Sequence, residues 1–263
     1  MSAAIVDASS PRKELKIFEC FVSVEEDRRA RESKTRTESL EEFEKRYHGV
    51  EVGWIRRAFN RATLSHLRLG GDLIDYGCGS YWWKEYWPHY DNVYAVEVVK
   101  QQLEDIGVRY PQARLIYTRN GLVDPNALDI KKFDVVMSSS VVGYILPIQA
   151  KYHLQSCHDL LKPGGQLMLT RIRAFNVYDF VRSNRLTCVA DTSFSYAYTA
   201  SELRRELEKL GFKDIQYHVQ GVRLPIPWKA QQFLYRMFPV FMTSVAPRLF
   251  PILKVHHMLT ATR

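Results

Sequence analysis

The sequence predicts an α/β fold built on a mostly parallel sheet. Two observations carry this. Short apolar runs alternate with amphipathic segments from Asp72 onward, which is the pattern of successive βαβ units. One of those runs, "LIDYGCGS", passes straight from a strand into a glycine turn that opens a helix-like segment. At 263 residues and 46% hydrophobic content, the chain is long enough to bury one full core with appendages.

Taken in order, residues Met1 to about Lys13 are small and polar and read as a loose terminus. The run from Val24 to Tyr47 mixes acids and bases as a solvated helical face does. Val52 to Leu69 then places Trp54, Ile55, Ala58, Phe59, Ala62 and Leu67 at helical spacing, and Gly70 and Gly71 end it. Residues 1–69 are therefore expected to form an N-terminal helical appendage, with a core following at 70–221.

Within that core, strands are expected at Asp72–Gly77, Val93–Val99, Ala113–Thr118, Phe133–Ser140 and Gly165–Ile172, with helix-like stretches such as "KQQLEDIGVRY" and "QAKYHLQSCHDLLK" between them. An irregular stretch follows. The segment Tyr198–Phe212 then carries its own punctuation, with Thr199 as N-cap, Glu202 three residues on, and Gly211 as the stop. "DIQYHVQG" and the terminal "VHHMLTATR" bring the count to about seven strands. Between these last two lies an insertion, 222–255, rich in aromatic residues, prolines and cations; its prolines predict short broken helices. The last strand occupies 256–263.

The formal net charge of +8 is compatible with an acidic partner, but the cations are dispersed among acids. Cys20, Cys78, Cys157 and Cys188 show no metal-ligand or disulfide spacing, so no metal is expected and a reduced, cytoplasmic setting is. No run reaches the roughly 18 apolar residues that a membrane span needs.

The chemistry concentrates in the glycine turn. A dinucleotide fingerprint wants a third glycine where this chain has Trp82, which argues against NAD. Asp75 stands at the end of the strand, where it would repel a pyrophosphate and attract an ammonium or sulfonium. Glu97 ends the next strand about 20 residues on, the place of a ribose-binding carboxylate. These residues point to a nucleoside carrying positive charge.

"DYGCG", the Glu97 of "VYAVEVV", "FDVVMSSSVVGYI" and "LKPGGQLMLT", in that order, resemble the class I (Rossmann-like) S-adenosylmethionine-dependent methyltransferases over roughly Gly70 to Phe212. The resemblance implies a seven-stranded sheet with helices on both faces and the last strand antiparallel, and S-adenosylmethionine as cofactor. It implies that Asp75, Gly77 and Gly79 surround the methionine moiety, Glu97 binds the ribose, Val98 flanks the adenine, and Ser138 and Ser139 face the methyl region. After the third strand, "TRNGLVDP" departs from the family pattern and leaves Asn120, Gly121 and Asp124 as alternative adenine contacts. Tyr81 or a neighbouring indole is a candidate wall of the cofactor pocket through cation–π attraction, the alternative being that Trp82, Trp83, Tyr86 and Trp87 simply pack a short helix.

For catalysis the candidates are Tyr144, after the fourth strand, and His48, which with Tyr47 either closes over the cofactor or merely ends a helix. His89, His153, His158, His256 and His257 read as structural histidines. The insertion suggests a small or lipid-like, apolar or aromatic acceptor, with peripheral membrane contact through 222–254 and a homo-oligomer as further expectations. The alternatives are a non-catalytic cofactor-binding or scaffold protein and a nucleic-acid methyltransferase. The latter is disfavoured because "SSSV" stands where an Asn/Asp-Pro-Pro-aromatic motif is expected.

Overall fold

The structure is a computed structural model that describes residues 4–9, 63–79, 84–119, 121–130, 132–145, 147–175, 186–190, 193–222, 224–250 and 253–263. Ten strands appear among them: β1 (Ile5–Asp7), β2 (Asp72–Tyr76), β3 (Asn92–Glu97), β4 (Arg114–Tyr117), β5 (Phe133–Ser139), β6 (Leu161–Arg173), β7 (Leu186–Ala190), β8 (Ser193–Tyr196), β9 (Lys213–Val222) and β10 (Lys254–Thr262). Eight form one sheet in the order β1-β4-β3-β2-β5-β6-β10-β9, and β7 pairs with β8 as a separate hairpin. β10 runs antiparallel to both of its neighbours, while the β1–β4, β4–β3, β3–β2, β2–β5 and β5–β6 pairs are parallel.

The sheet has eight strands where the sequence predicts about seven. The extra one comes from the segment read as a loose terminus. Ile5, Val6 and Asp7 pair with Leu115, Ile116 and Tyr117 and supply an edge strand to β4. The β7–β8 hairpin lies in the stretch read as irregular. Apart from β1 and the few residues leading into β2, the expected N-terminal appendage, with Tyr47 and His48, lies outside the described residues.

Helices pack on both faces of the sheet, and strand alternation sorts the core residues between them. Ile74, Val96, Val136 and Leu167 join the cluster under α2 (Pro147–Leu160) and α3 (Ala200–Lys209). Their neighbours Leu73, Ala95, Val135 and Met168 join the opposite cluster under α1 (Lys100–Arg109). Strands buried on both sides need no polar face, which is why these segments read as continuous apolar runs. α3 begins as its sequence requires: Thr199 Oγ1 accepts from the Glu202 backbone N–H at 3.2 Å, and Glu202 Oε2 accepts from the Thr199 N–H at 2.8 Å. Such a cap is worth roughly 1 kcal/mol.

The insertion forms two short helices, α4 (Trp228–Met237) and α5 (Ala246–Leu249), with a π-helical turn at Phe241–Val245 between them. Tyr235 Oη anchors it, accepting from the Val222 N–H at 2.9 Å and donating to the Val222 carbonyl at 3.0 Å. Among the described residues, no helix is long and apolar enough to cross a membrane.

The topology selects the site. From β2 the chain proceeds outward to β3 and β4, then returns across β2 to build β5 and β6 on its other side. A crevice opens at the carboxyl end of a strand where the winding direction reverses, and here that strand is β2.

Candidate functional site

The turn leaving β2 is shaped by two glycines in the left-handed region. Gly77 has φ +74°, and a Cβ there would stand 2.2 Å from Val141 Cγ2. Gly79 has φ +58° with no described atom within 4 Å of the place a Cβ would take. The first glycine thus permits close packing against the segment after β5, and the second leaves backbone open to a ligand. The N–H groups of Gly77 and Cys78 both donate to the Val96 carbonyl at 2.9 Å, tying the turn to β3.

Beneath the turn, Asp75 is fully buried. Its Oδ2 accepts from Lys84 Nζ at 2.6 Å, Tyr86 Oη at 2.5 Å and Trp87 Nε1 at 3.0 Å. Lys84 also donates to the Cys78 carbonyl at 2.6 Å, so it grips strand and turn together. The negative charge that the sequence offers to a cationic ligand is therefore balanced inside the protein. Asp75 Oδ1 is buried and has no hydrogen-bond partner among the described residues. Burial, with Asp75 beside it, pushes the Tyr86 phenol well above its ordinary range, and burial does the same to the Cys78 thiol, which stays protonated.

Glu97 closes the other side of the crevice. Its Oε2 accepts from the Gly79 N–H at 2.8 Å, and its Oε1 accepts from the N–H groups of Val98 at 2.8 Å and Val99 at 3.3 Å. Burial raises its pKa, and the three backbone donors oppose that rise. Two carboxylate oxygens offer about four lone-pair directions and three are taken by backbone donors, so acceptor capacity remains for about one further donor.

A small, partly open pocket adjoins these groups. Gly77, Glu97, Val98 and Gly121, separated by up to 44 positions in sequence, line it together. Of the residues expected at the site, Asp75 and Gly79 flank this group, whereas Ser138 and Ser139 are tied up elsewhere. Ser138 Oγ bonds His153 Nε2 at 2.8 Å, and Ser139 Oγ accepts from Thr170 Oγ1 at 3.0 Å. Neither hydroxyl lines the cavity. Tyr144 closes a short 3-10 turn at Val142–Tyr144, directly after β5. Tyr81, Asn120 and His48 lie outside the described residues.

Two features, Tyr76 and Ser140, escaped the sequence reading, and His153 was read there only as a structural histidine. Tyr76 lines the cavity and holds the Gly121–Val123 loop: its Oη donates to the Gly121 carbonyl at 2.7 Å and accepts from the Val123 N–H at 3.0 Å. His153 also lines the cavity, and burial pushes its pKa down to about 3, so it is neutral. Its spacing from Ala150 and Cys157 on one helical face was the available signal. Ser140, at the carboxyl end of β5, adopts φ +65°, a conformation that costs a non-glycine residue about 1–2 kcal/mol.

A family model described as a methyltransferase domain matches residues 50–217. No curated protein matches the sequence. Among solved structures, the fold is similar to a SAM-dependent methyltransferase from Archaeoglobus fulgidus, with TM-score 0.56 and 15% identity over 84% of this chain and 98% of that one. It is similar to 1,6-didemethyltoxoflavin-N1-methyltransferase from Burkholderia thailandensis, with TM-score 0.54 and 16% identity over 93% and 92%. It is also similar to phosphoethanolamine N-methyltransferase 2 from Haemonchus contortus, with TM-score 0.55 and 14% identity over 89% of this chain and 60% of that longer one.

Proposed function

The chain belongs to the methyltransferase-domain family as a class I S-adenosylmethionine-dependent methyltransferase, and from that premise we propose that its acceptor is a small or lipid-like molecule and that the crevice beside β2 holds the cofactor. The observation that carries the site is the convergence of Gly77, Glu97, Val98 and Gly121 on one cavity at the switch strand. In this reading Glu97 accepts from a ribose hydroxyl, Val98 packs the adenine, and Gly121 bounds it from the far side. Gly79 lets the backbone approach the methionine part, and Asp75 Oδ1 accepts from its ammonium. These assignments fit what is on hand: a buried carboxylate oxygen with no hydrogen-bond partner among the described residues and a glycine with open space above it.

Bound S-adenosylmethionine supplies a methyl group on a sulfonium, ready for in-line displacement. The protein's part is then largely to position the two reactants. Lys84 contributes by fixing the turn, and by balancing Asp75 it keeps the crevice from carrying a bare negative charge. Tyr76 contributes by holding the Gly121 loop. Tyr144, following β5, is the proposed contact toward acceptor or methyl group.

For the acceptor, the support is the insertion after β9, whose outer surface is apolar and basic. The Burkholderia and Haemonchus neighbours are named for small-molecule acceptors, the class proposed here. Calorimetric titration with S-adenosylhomocysteine, beside NAD, tests the cofactor site: micromolar binding of the first alone is expected. Incubating the protein with methyl-labelled cofactor and a fractionated cell extract tests the acceptor. Label in the organic-extractable fraction supports the lipid-like class, and label confined to macromolecules sinks it.

A further inference from the structure

From Val222 to Lys254 the chain has no aspartate or glutamate, yet it has five cations: Arg223, Lys229, Arg236, Arg248 and Lys254. Among the described residues, the same segment holds most of the exposed large apolar side chains. Nine of the fourteen exposed large hydrophobic side chains among the described residues fall between Ile226 and Phe250. A folded monomer scatters such residues, and a concentration of them marks an interaction surface.

The insertion has two distinct faces. Its inner face is consumed by a small core of Val222, Tyr235, Met242 and Ala246, with Gln231 bonded to the backbone of Val222 and Leu224. Its outer face carries Lys229, Phe233, Arg236 and Met237 on α4, all exposed and spaced as neighbours on one helical side. The link to the next helix continues the theme, with Phe238 at 55%, Val240 at 71% and Phe241 at 43% exposure. Val245, Leu249 and Phe250 follow, with Arg248 among them.

We propose that this outer face seats the protein on an anionic membrane surface, its aromatic and aliphatic side chains entering the headgroup boundary and its lysine and arginines meeting acidic headgroups. An in-plane amphipathic element of this kind combines an apolar face with cations and no opposing acids. A second copy of the chain is the poorer occupant, because a two-fold contact would oppose one acid-free cationic face with another. A nucleic acid suits the charge but leaves the exposed phenylalanines, methionine and valines without partners. The surface is four strand spacings from β2 in sheet order, about 19 Å laterally, so it serves docking rather than cofactor binding.

The test is sedimentation of the full chain with vesicles of phosphatidylcholine alone or with phosphatidylglycerol added, at low and at high salt. Partition about tenfold greater onto the anionic vesicles, weakened by salt, is the expected result. Phe233→Ser with Phe241→Ser should reduce it about tenfold on both vesicle types, and Lys229→Gln with Arg236→Gln should remove most of the anionic preference. S-adenosylhomocysteine titration of each variant reports that the core is intact and separates failure of this surface from failure of the cofactor site. Wild-type protein that stays in the supernatant with both vesicles overturns the proposal. So does a dimer in sedimentation velocity that the Phe233 and Phe241 substitutions dissociate, because the face would then belong to a second copy.

Discussion

The ammonium of Lys84 lies 2.6 Å from Asp75 Oδ2, and neither side chain has any solvent exposure. The pair spans the glycine turn, joining the strand before it to the segment after it. Removing one partner of such a pair strands a buried charge, at a cost of about 3–5 kcal/mol. Lys84→Met should therefore lower unfolding free energy by about that amount in urea titrations, and adding Asp75→Asn should recover much of it. An unchanged midpoint in the single variant would show that the pair does not clamp the turn.

Glu97→Ala should weaken S-adenosylhomocysteine binding by about 10- to 150-fold, the equivalent of losing a charged hydrogen bond worth roughly 1.5–3 kcal/mol. The pH dependence has a definite sign. Burial raises the Glu97 pKa in the folded protein, so the acceptor carboxylate is lost earlier on acidification than for an ordinary glutamate. Affinity should fall as pH drops through that raised value, while the stability cost of ionising Glu97, present above it, is relieved. Calorimetry at successively lower pH, with the same series on Glu97→Gln as control, reads the change.

Gly77→Ala should destabilise the turn for two separable reasons. The backbone at φ +74° costs an alanine about 1–2 kcal/mol, and the new Cβ collides with Val141 Cγ2. Pairing it with Val141→Ala should relieve the collision alone. A double variant that regains wild-type stability would show that backbone strain is absent.

Tyr76→Phe removes the hydroxyl that bonds Gly121 and Val123, at an expected cost of about 1–3 kcal/mol for the groups left buried. Because that loop borders the cavity, affinity for S-adenosylhomocysteine should fall as well. Calorimetry beside thermal unfolding separates the two effects.

His153 is buried and its pKa is pushed from 6.5 down to about 3, so in the folded state it stays neutral where an unfolded histidine takes a proton. Its contribution to stability is complete above about pH 6.5 and is lost as pH falls toward about 3. His153→Asn should flatten the stability profile across that window by roughly 1–3 kcal/mol, read from denaturant midpoints at successive pH values.

Much of this was legible in the residues. β2, β3 and β5 were readable because strands buried on both faces are largely apolar runs, β9 because its apolar and polar residues alternate, and α3 because Thr199 and Glu202 are three positions apart and bond each other. Asp75, Gly77, Gly79 and Glu97 were legible as a set because each sits at a strand end or turn that follows from that local pattern. β1 was not, since "IVD" becomes a strand only by pairing with Leu115–Tyr117, 110 positions away. Nor was the fate of Asp75. The sequence offers its carboxylate to a ligand, but whether a buried acid is free depends on what packs over it, and Lys84, Tyr86 and Trp87 arrive from the far side of the turn. Likewise Ser138 turns to His153 because α2 packs beneath β5. Sequence by itself determined most of the core strands and helices and where the glycine turn falls, since those depend on neighbours along the chain. Only tertiary structure decided which polar groups are already satisfied and which remain open to a ligand, because a buried hydrogen-bond partner is set by packing across elements and not by spacing within one.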